Sequence, residues 1–215
     1  MTRFPPKRAT KGRTANLRLA RSFFGRREDG GGPSGSPVVV GLGNPGRSYE
    51  RTRHNAGYLV VEELARRHGG SWRRKKKAES ADVSVGPKNV TLLKPTTFMN
   101  LTGSALAGHH AENLIVVHDD LDLPPGDVRV KAGGGAGGHN GLRSAIQNIG
   151  PDFVRVRIGI GRPPEYARIS VTDFVLGRMD SAVKDALPRA ADAVEFVIEN
   201  GPEAAMNHFN VRDTA

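Results

Sequence analysis

The sequence predicts an α/β fold: a single three-layer domain in which helices flank a mixed, mostly parallel central sheet. Val38–Val40 and Leu114–Val117 are short apolar runs of the kind that forms buried strands. Segments with apolar residues at helical spacing follow further along the chain. Residues 82–93 form a hairpin pattern around Gly86-Pro87, which adds antiparallel strands. Strands that alternate with helices, together with one hairpin, are typical of a layered α/β domain.

The first predicted helix follows Asn55, a residue type favoured at helix N-termini. Apolar residues recur at helical spacing from Tyr58 to His68, and Gly69-Gly70 ends the pattern. The next predicted elements are, in chain order, hairpin strands Asp82–Val85 and Asn89–Leu93, a short helix from Gly103 capped by Thr102, a strand Asp127–Lys131 and a helix Asn140–Ile149.

The C-terminal third is predicted to contain one further strand and one long helix. Val154–Ile160 alternates cleanly, so its aliphatic side chains are expected to face a core and its arginines to face away. Phe174–Leu176 is too short to predict one state. Ser181–Asn200 carries apolar residues on one helical face, and Gly201 is expected to stop that helix. Pro188 either kinks the helix or restarts it.

Composition limits the classes of protein to consider. The chain has 215 residues, enough for one domain with a sizeable core or two small domains at most. It has no cysteine, which excludes thiol nucleophiles, thiolate zinc sites and disulfides. No apolar run is long enough to span a bilayer. Residues 1–27 hold nine Lys or Arg and residues 28–29 are two acids, so only +3 of the net +10 belongs to residues 30–215. Binding of nucleic acid must therefore depend on local patches.

Residues 1–36 are predicted to be a basic, disordered N-terminal extension that ends in a Gly/Pro/Ser linker, and residues 37–215 to be the folded domain that carries the function. An organelle transit peptide and an electrostatic arm for RNA are alternatives for the extension. A misread upstream start codon would produce the same pattern. The basic run from Arg73 to Lys77 beside Trp72 is either a solvated loop or a patch that faces RNA.

The loop after Val38–Val40 carries Asn44 and His54. Neutral imidazole is well suited to take a proton near neutral pH, and open α/β sheets bind ligands in loops beyond the carboxyl ends of parallel strands. Gly41–Gly46 in this loop also matches the G-x-G-x-x-G pattern of dinucleotide-binding proteins. A proline interrupts it, however, and the predicted helix begins only near Asn55. The loop thus lacks the helix N-terminus that would meet a pyrophosphate.

A second polar group, His118-Asp119-Asp120, ends the predicted strand that starts at Leu114. Two acids could bind Mg²⁺, but no phosphate-binding P-loop accompanies them, and the seven histidines show no zinc-site spacing. Alternatively, one carboxylate orients His54, because an acid that fixes the tautomer of an imidazole makes it a better base. This interpretation requires the two strand ends to be neighbours.

The glycine-rich stretch Gly133–Gly138 precedes His139-Asn140 and a predicted helix. Backbone amides without a Cβ can approach phosphate closely, and the N-terminus of the helix is electropositive. Lys131 precedes the stretch, and Arg155 and Arg157 share one face of a later strand. Together they predict a phosphate-binding wall near a histidine. A flexible loop is the alternative.

Five motifs occur in order: GLGNPG…Y…TRHNAG, KPTTFMN, HDDLDLPPG, KAGGGAGGHNGLRS and VRIGIGRP. Together they resemble bacterial-type peptidyl-tRNA hydrolase from about Val38 to near the C-terminus. The resemblance implies hydrolysis of the ester between the peptide and the tRNA 3′ ribose, which recycles tRNA from stalled or aborted translation. Activated water suffices for an ester, so we expect no cofactor and no metal. We expect a cytoplasmic monomer that binds peptidyl-tRNA and no membrane.

The resemblance also implies roles for individual residues. His54 would be the general base that activates water, and Asp119 the acid that orients it. Asn44 would distinguish blocked from free aminoacyl-tRNA through the peptide. Asn100 would hold substrate and water and could also donate to the oxyanion. The other residues implied at the site are Tyr49, Phe98, Met99 and His139 along the cleft, Asn140 on substrate and water, and Lys131 and Arg157 on tRNA phosphate.

Two departures from the family pattern leave questions open. The basic extension lies outside the family core. Residues 103–113 are shorter than the usual helix and connecting loop, which leaves open how one wall of the cleft is closed. Two other functions are hypotheses at this point. One is a non-catalytic RNA-binding relative, since a chloroplast intron-splicing factor shares this fold, and the other is a nicotinamide-binding oxidoreductase.

Overall fold

The computed structural model describes residues 35–211, in which helices cover both faces of one sheet. Residues 1–34 of the predicted extension and residues 212–215 lie outside the described part. The strands are β1 Val38–Gly41, β2 Arg73–Arg74, β3 Ala78–Val85, β4 Lys88–Pro95, β5 Leu114–Asp120, β6 Val128–Ala132 and β7 Val154–Gly159. The α-helices are α1 Ala56–Arg67, α2 Gly103–Leu106, α3 Asn140–Ile149, α4 Val171–Val175, α5 Ser181–Asp185 and α6 Leu187–Phe209.

The sheet of the described residues has seven strands in the order β2-β3-β4-β1-β5-β7-β6. Strand β1 pairs in parallel with β4 and β5, and β5 pairs in parallel with β7. The pairs β2–β3, β3–β4 and β6–β7 are antiparallel. Only β3 and β6 therefore run against the other five strands, which confirms the mixed, mostly parallel sheet.

Strand β1 lies in the middle of the sheet and is buried on both faces. Val39 packs in the apolar layer that includes α1 and α6, whereas Val38 and Val40 pack in the layer that includes α2 and α3. This double burial explains why β1 reads as a continuous β-branched run instead of an alternating one. Three layers result, as the sequence predicts.

Helix α1 begins unusually close to the sheet because two glycines remove the side chains in between. A Cβ at Gly57 would lie 2.3 Å from the carbonyl oxygen of Val117, and a Cβ at Gly41 would lie 2.3 Å from the carbonyl oxygen of Gly57. The start of α1 thus packs directly on the carboxyl ends of β1 and β5. The 3₁₀ turn Arg53–Asn55, which precedes α1, lies over the same strand ends.

Several local predictions are confirmed, and two capping roles are wrong. Thr102 occupies the N-cap position of α2, but its side chain makes no capping hydrogen bond, and its Oγ1 has no partner among the described residues. Helix α3 has the predicted bounds, and the hairpin forms with strands longer than predicted at their outer ends. Asn55 occupies the N-cap position of α1 but its side chain does not cap the helix. Instead its Oδ1 accepts from the backbone N–H of Asn44 at 2.9 Å, and its Nδ2 donates to the Asn44 carbonyl at 2.9 Å.

The C-terminal helices resolve the alternatives at Pro188. Helix α5 ends at Asp185, and α6 begins at Leu187 with Pro188 in its first turn, so the proline restarts the helix. Gly201 adopts φ +84° and ψ 165° and divides α6 into two helical segments, as a stop residue would. Phe174 and Val175 fall in the short α4. None of the helices among the described residues is long and apolar enough to cross a membrane.

Candidate active site

The 3₁₀ turn Arg53–Asn55 brings His54 against the end of β5. His54 Nδ1 lies 2.9 Å and 3.0 Å from the two carboxylate oxygens of Asp119. The side chains are 9% and 2% exposed, respectively. The ends of β1 and β5 are adjacent, so the structure provides the neighbourhood that the orienting interpretation requires.

His139, at the N-cap of α3, contacts the same carboxylate. Its Nε2 lies 3.1 Å from Asp119 Oδ1, and its Nδ1 accepts from the backbone N–H groups of Gly141 at 3.1 Å and Leu142 at 3.3 Å. Because Nδ1 accepts two hydrogen bonds, the ring proton of neutral His139 is on Nε2 and is donated to Asp119. Backbone geometry at the start of α3 therefore fixes the tautomer of His139.

Asp119 receives donors from both imidazoles. Burial alone raises the pKa of Asp119, but attraction to His54 and His139 and their hydrogen bonds outweigh it, and the pKa lies well below its usual range. An ionised carboxylate accepts Nδ1–H of His54, which leaves the lone pair on Nε2. No hydrogen bond reaches this nitrogen from residues 35–211, so it is available to water or substrate.

The three groups also resemble a metal site, since one ligand atom from each of His54, Asp119 and His139 lies within 4.8 Å of the others. Metal on Nε2 of His139 would force the ring proton to Nδ1. There it would face the two N–H donors at the start of α3. The hydrogen-bond pattern thus favours protons, not a metal ion, between the three side chains.

Asn44 is held between two loops. Its Oδ1 accepts from the backbone N–H of Met99 at 2.8 Å, and its main chain is bound by the Asn55 amide. The side chain is 7% exposed and lines the same cavity as His54. With the oxygen engaged, the NH₂ group of Asn44 is the part that can donate to a ligand.

The cavity at this site has a volume of about 560 Å³. The predicted site residues along it are Asn44, His54, Phe98, Met99, Asn100, Asp119, Lys131, His139, Asn140 and Arg157. Tyr49 is not in the lining; it lies edge-on to the exposed Phe98, with ring centroids 6.5 Å apart. One wall comes from α4, which contributes Val171, Thr172 and Val175. The shortened segment 103–113 does not line the cavity.

The predicted phosphate wall divides into a buried part and an accessible part. Arg155 is 3% exposed, and its guanidinium donates to the carbonyl oxygens of Gly134 and Gly135. The aliphatic residues of strand β7 pack in one core layer as predicted. The prediction that Arg155 belongs to a phosphate-binding wall is wrong, however, because the glycine-rich loop covers its side chain. Burial, with repulsion from Arg157, lowers the pKa of Arg155 to about 10. Arg155 therefore holds the loop in place.

Lys131 and Arg157 form the accessible part. Arg157 Nε donates to Asp120 Oδ2 at 2.7 Å, which offsets part of its charge. Lys131 is exposed and forms no ion pair with a described residue. Partial desolvation of its side chain and the nearby Arg157 and Arg155 lower the pKa of Lys131. The separate basic run 73–77 is also exposed, and Lys77 accepts a backbone hydrogen bond from Thr96, outside the cavity lining.

His118 is a residue at the site to which sequence reasoning assigned no role. It is 2% exposed, its Nδ1 donates to the Asp119 carbonyl at 2.7 Å, and it lines the cavity. Its Nε2 has no hydrogen-bond partner among the described residues. Burial, with repulsion from His139, lowers the pKa of His118 to about 3, so the ring is neutral. The neighbourhood of His118 and Asp119 in the sequence could have indicated that His118 lies at the site. Successive residues of a strand normally point to opposite faces, however, so the side chains of His118 and Asp119 were not expected to share one cavity.

The fold and the site together define a class of protein. A buried imidazole–carboxylate pair at the carboxyl edge of parallel strands, beside a cavity with a cationic wall, is consistent with a hydrolase whose substrate is anionic. Comparison with known proteins identifies the family. The family model for peptidyl-tRNA hydrolase matches residues 38–215. The chain belongs to the peptidyl-tRNA hydrolase family, and its activity is peptidyl-tRNA hydrolysis.

Individual relatives agree with this assignment. The peptidyl-tRNA hydrolase of Rubrobacter xylanophilus is 68% identical over 173 residues, which cover 80% of this chain and 99% of that protein. That of Kineococcus radiotolerans is 47% identical over 192 residues, covering 80% and 96%. The crystal structure of the Acinetobacter baumannii peptidyl-tRNA hydrolase superposes with a TM-score of 0.75 at 38% identity, covering 84% of this chain and 97% of that one.

Proposed function

We propose that Nε2 of His54 takes a proton from water as the water attacks the ester carbonyl between the peptide and the tRNA 3′ ribose. The carbon–oxygen bond to the ribose then breaks, and the imidazolium returns the proton to the leaving oxygen. Asp119 fixes the tautomer of His54 and stabilises its charged form. The observation that carries this proposal is the contact of His54 Nδ1 with both oxygens of the buried Asp119.

We propose that the amide groups of Asn44, Asn100 and Asn140 bind the reacting part of the substrate. The NH₂ group of Asn44 donates to a peptide carbonyl, which favours substrates whose α-amino group is blocked. Asn100 and Asn140 are exposed on the cavity and hold substrate and water, and Asn100 donates to the oxyanion. Phe98, Met99 and His139 provide the cleft wall, with Tyr49 supporting Phe98.

We propose that Lys131 and Arg157 bind tRNA phosphate. Arg157 shares its charge with Asp120, whereas Lys131 forms no ion pair among residues 35–211. Lys131 is therefore expected to contribute more to affinity for the polyanion. Every proposed group lies on one chain, so we also propose that the protein acts as a monomer. Its proposed substrate is a product of translation, so we propose that it acts in the cytoplasm.

The test is a hydrolysis assay on N-acetylaminoacyl-tRNA and on the matching free aminoacyl-tRNA. The wild-type protein is expected to hydrolyse N-acetylaminoacyl-tRNA much faster than free aminoacyl-tRNA. Asn44→Ala is expected to reduce the ratio of these two hydrolysis rates. Equal rates on both substrates would contradict the proposed role of the peptide contact. Binding of tRNA without turnover would favour the non-catalytic RNA-binding relative instead.

A further inference from the structure

Arg53 directly precedes His54 and contacts helix α4, which lines the same cavity as His54. We propose that Arg53 is a positioning residue that fastens helix α4 to the turn carrying His54. The α4 wall of the substrate cavity and the general base His54 are then held at a fixed distance and orientation. This inference rests on the proposed function, since it takes His54 to be the base.

The guanidinium of Arg53 reaches two anchors at once. Its Nη1 donates to the Phe174 carbonyl at 3.0 Å, while its Nε and Nη2 donate to the Asp180 carboxylate at 3.2 Å and 3.0 Å. Its central carbon also lies 4.2 Å from the centroid of the Phe174 ring. The Arg53 side chain is only 13% exposed, whereas that of Asp180 is 50% exposed. The interaction of Arg53 with Phe174 is therefore better shielded from solvent than its interaction with Asp180.

The main chain joins the same two segments. Arg53 N–H donates to the Gly177 carbonyl at 3.0 Å, and Met179 N–H donates to the Arg51 carbonyl at 2.9 Å. Thr52 and Arg178 pair as an isolated antiparallel bridge. The turn before His54 and the segment after α4 thus form a two-stranded connection, to which the Arg53 side chain adds the link to α4 itself.

Helix α4 matters because it lines the same cavity as the reacting groups. Val171, Thr172 and Val175 line the same cavity as His54, and Val171 is 46% exposed. A helix of five residues cannot hold its place by its own hydrogen bonds. Its position relative to His54 therefore depends on tertiary contacts, and Arg53 makes two of them with Phe174, through the carbonyl and through the ring.

Only an arginine suits this arrangement. The planar guanidinium offers five N–H donors in fixed directions, so it can engage a carboxylate with one edge and a carbonyl with another nitrogen. A lysine would keep the charge and the alkyl stem but would present a single nitrogen. Gly177 leaves the necessary room, because a Cβ there would lie 2.7 Å from Arg53 Nη1.

The test compares Arg53→Ala and Arg53→Lys with Arg178→Ala. Arg178 is exposed on the same bridge, so its removal costs the same charge without touching α4. We expect kcat to fall by about 10–100-fold in both Arg53 variants, because small displacements of a catalytic group have effects of this size. Affinity for deacylated tRNA should change no more than in Arg178→Ala, which should keep kcat within about twofold. Arg53→Lys decides the question if Arg53→Ala does not fold.

A spectroscopic readout separates positioning from folding. The proton between His54 Nδ1 and Asp119 can be followed by NMR of the ¹⁵N-labelled imidazole, and we expect this resonance to shift or exchange faster in Arg53→Lys. A wild-type kcat and spectrum in Arg53→Lys, or an Arg53→Ala protein equal to Arg178→Ala, would overturn the inference. If His54→Ala itself keeps full activity, the proposed base is wrong, which is a different failure.

Discussion

Replacement of Asp119 by Asn is the perturbation whose consequence the hydrogen bonds specify most fully. The amide has nearly the shape of the carboxylate but supplies one acceptor and one donor. His139 can only donate at this position, because its Nδ1 accepts from two backbone N–H groups of α3. The amide oxygen of the variant is therefore expected at the Oδ1 site, 3.1 Å from Nε2 of His139.

The NH₂ group of the variant then takes the Oδ2 site, 3.0 Å from Nδ1 of His54. Two donors would meet there. The amide oxygen at the Oδ1 site still lies 2.9 Å from Nδ1 of His54, but the NH₂ group beside it raises the population of the His54 tautomer that carries its proton on Nε2. That tautomer has no lone pair facing the cavity. A buried hydrogen bond to a charged group is worth roughly 1.5–3 kcal/mol, and stabilisation of the imidazolium is lost as well. Since about 1.4 kcal/mol corresponds to a tenfold change in rate, we expect turnover to fall by ~10²–10⁴.

The assay is single-turnover hydrolysis of N-acetylaminoacyl-tRNA, with circular dichroism and urea unfolding as the controls for fold. A second variant sharpens the argument. In a His139→Ala background the amide is free to turn its oxygen toward His54, so the penalty of Asp119→Asn should be smaller there. A rate for Asp119→Asn within about twofold of wild type would refute the reasoning about the tautomer. If Asp119→Asn lowers the rate by the same factor in the wild-type and His139→Ala backgrounds, the proposed control of the amide orientation by His139 is refuted.

Two further predictions concern charge. Lys131→Ala should weaken tRNA binding and reduce the magnitude of the slope of log affinity against log salt concentration by about one. Arg157→Ala should change this slope less, because Asp120 already offsets part of the Arg157 charge. Filter binding across salt concentrations measures both slopes, and an unchanged slope in Lys131→Ala would exclude a contact of Lys131 with phosphate. Burial lowers the pKa of His118 to about 3, so unfolded chains bind an extra proton below about pH 6.5. Stability should fall there by up to about 1.4 kcal/mol per pH unit, with a smaller effect of the same sign from His109. Asp119, whose pKa is lowered, adds a loss only below about pH 4. Urea unfolding at pH 7 and pH 5 should show that the free energy of unfolding falls less between these pH values in His118→Gln than in the wild type. An equal fall in the two proteins would contradict this prediction.

The layered fold follows from local patterns because each pattern has one physical cause. The β1 run is continuous because helices cover both faces of the sheet, and α3 has its predicted bounds because a polar residue precedes it and Gly150 follows it. Pro188 was ambiguous in the sequence, since a proline in a helical pattern fits a kink as well as a first turn. The packing of α6 decides between the two.

The site was less accessible to sequence reasoning where function depends on contacts between distant segments. Asn55 fits a helix cap, yet its amide instead binds the main chain of Asn44, eleven residues earlier. Arg155 and Arg157 alternate with aliphatic residues in the same way, but the glycine-rich loop covers only Arg155. A strand pattern shows the spacing of side chains but not which loop folds back over them.

The central claim, that Nε2 of His54 is the base that activates water, is tested most directly by His54→Ala. Single-turnover hydrolysis of N-acetylaminoacyl-tRNA should be slower by ~10²–10⁴, while affinity for deacylated tRNA stays within about threefold of wild type. A hydrolysis rate within about threefold of wild type, in a variant that folds and binds tRNA, would contradict the account.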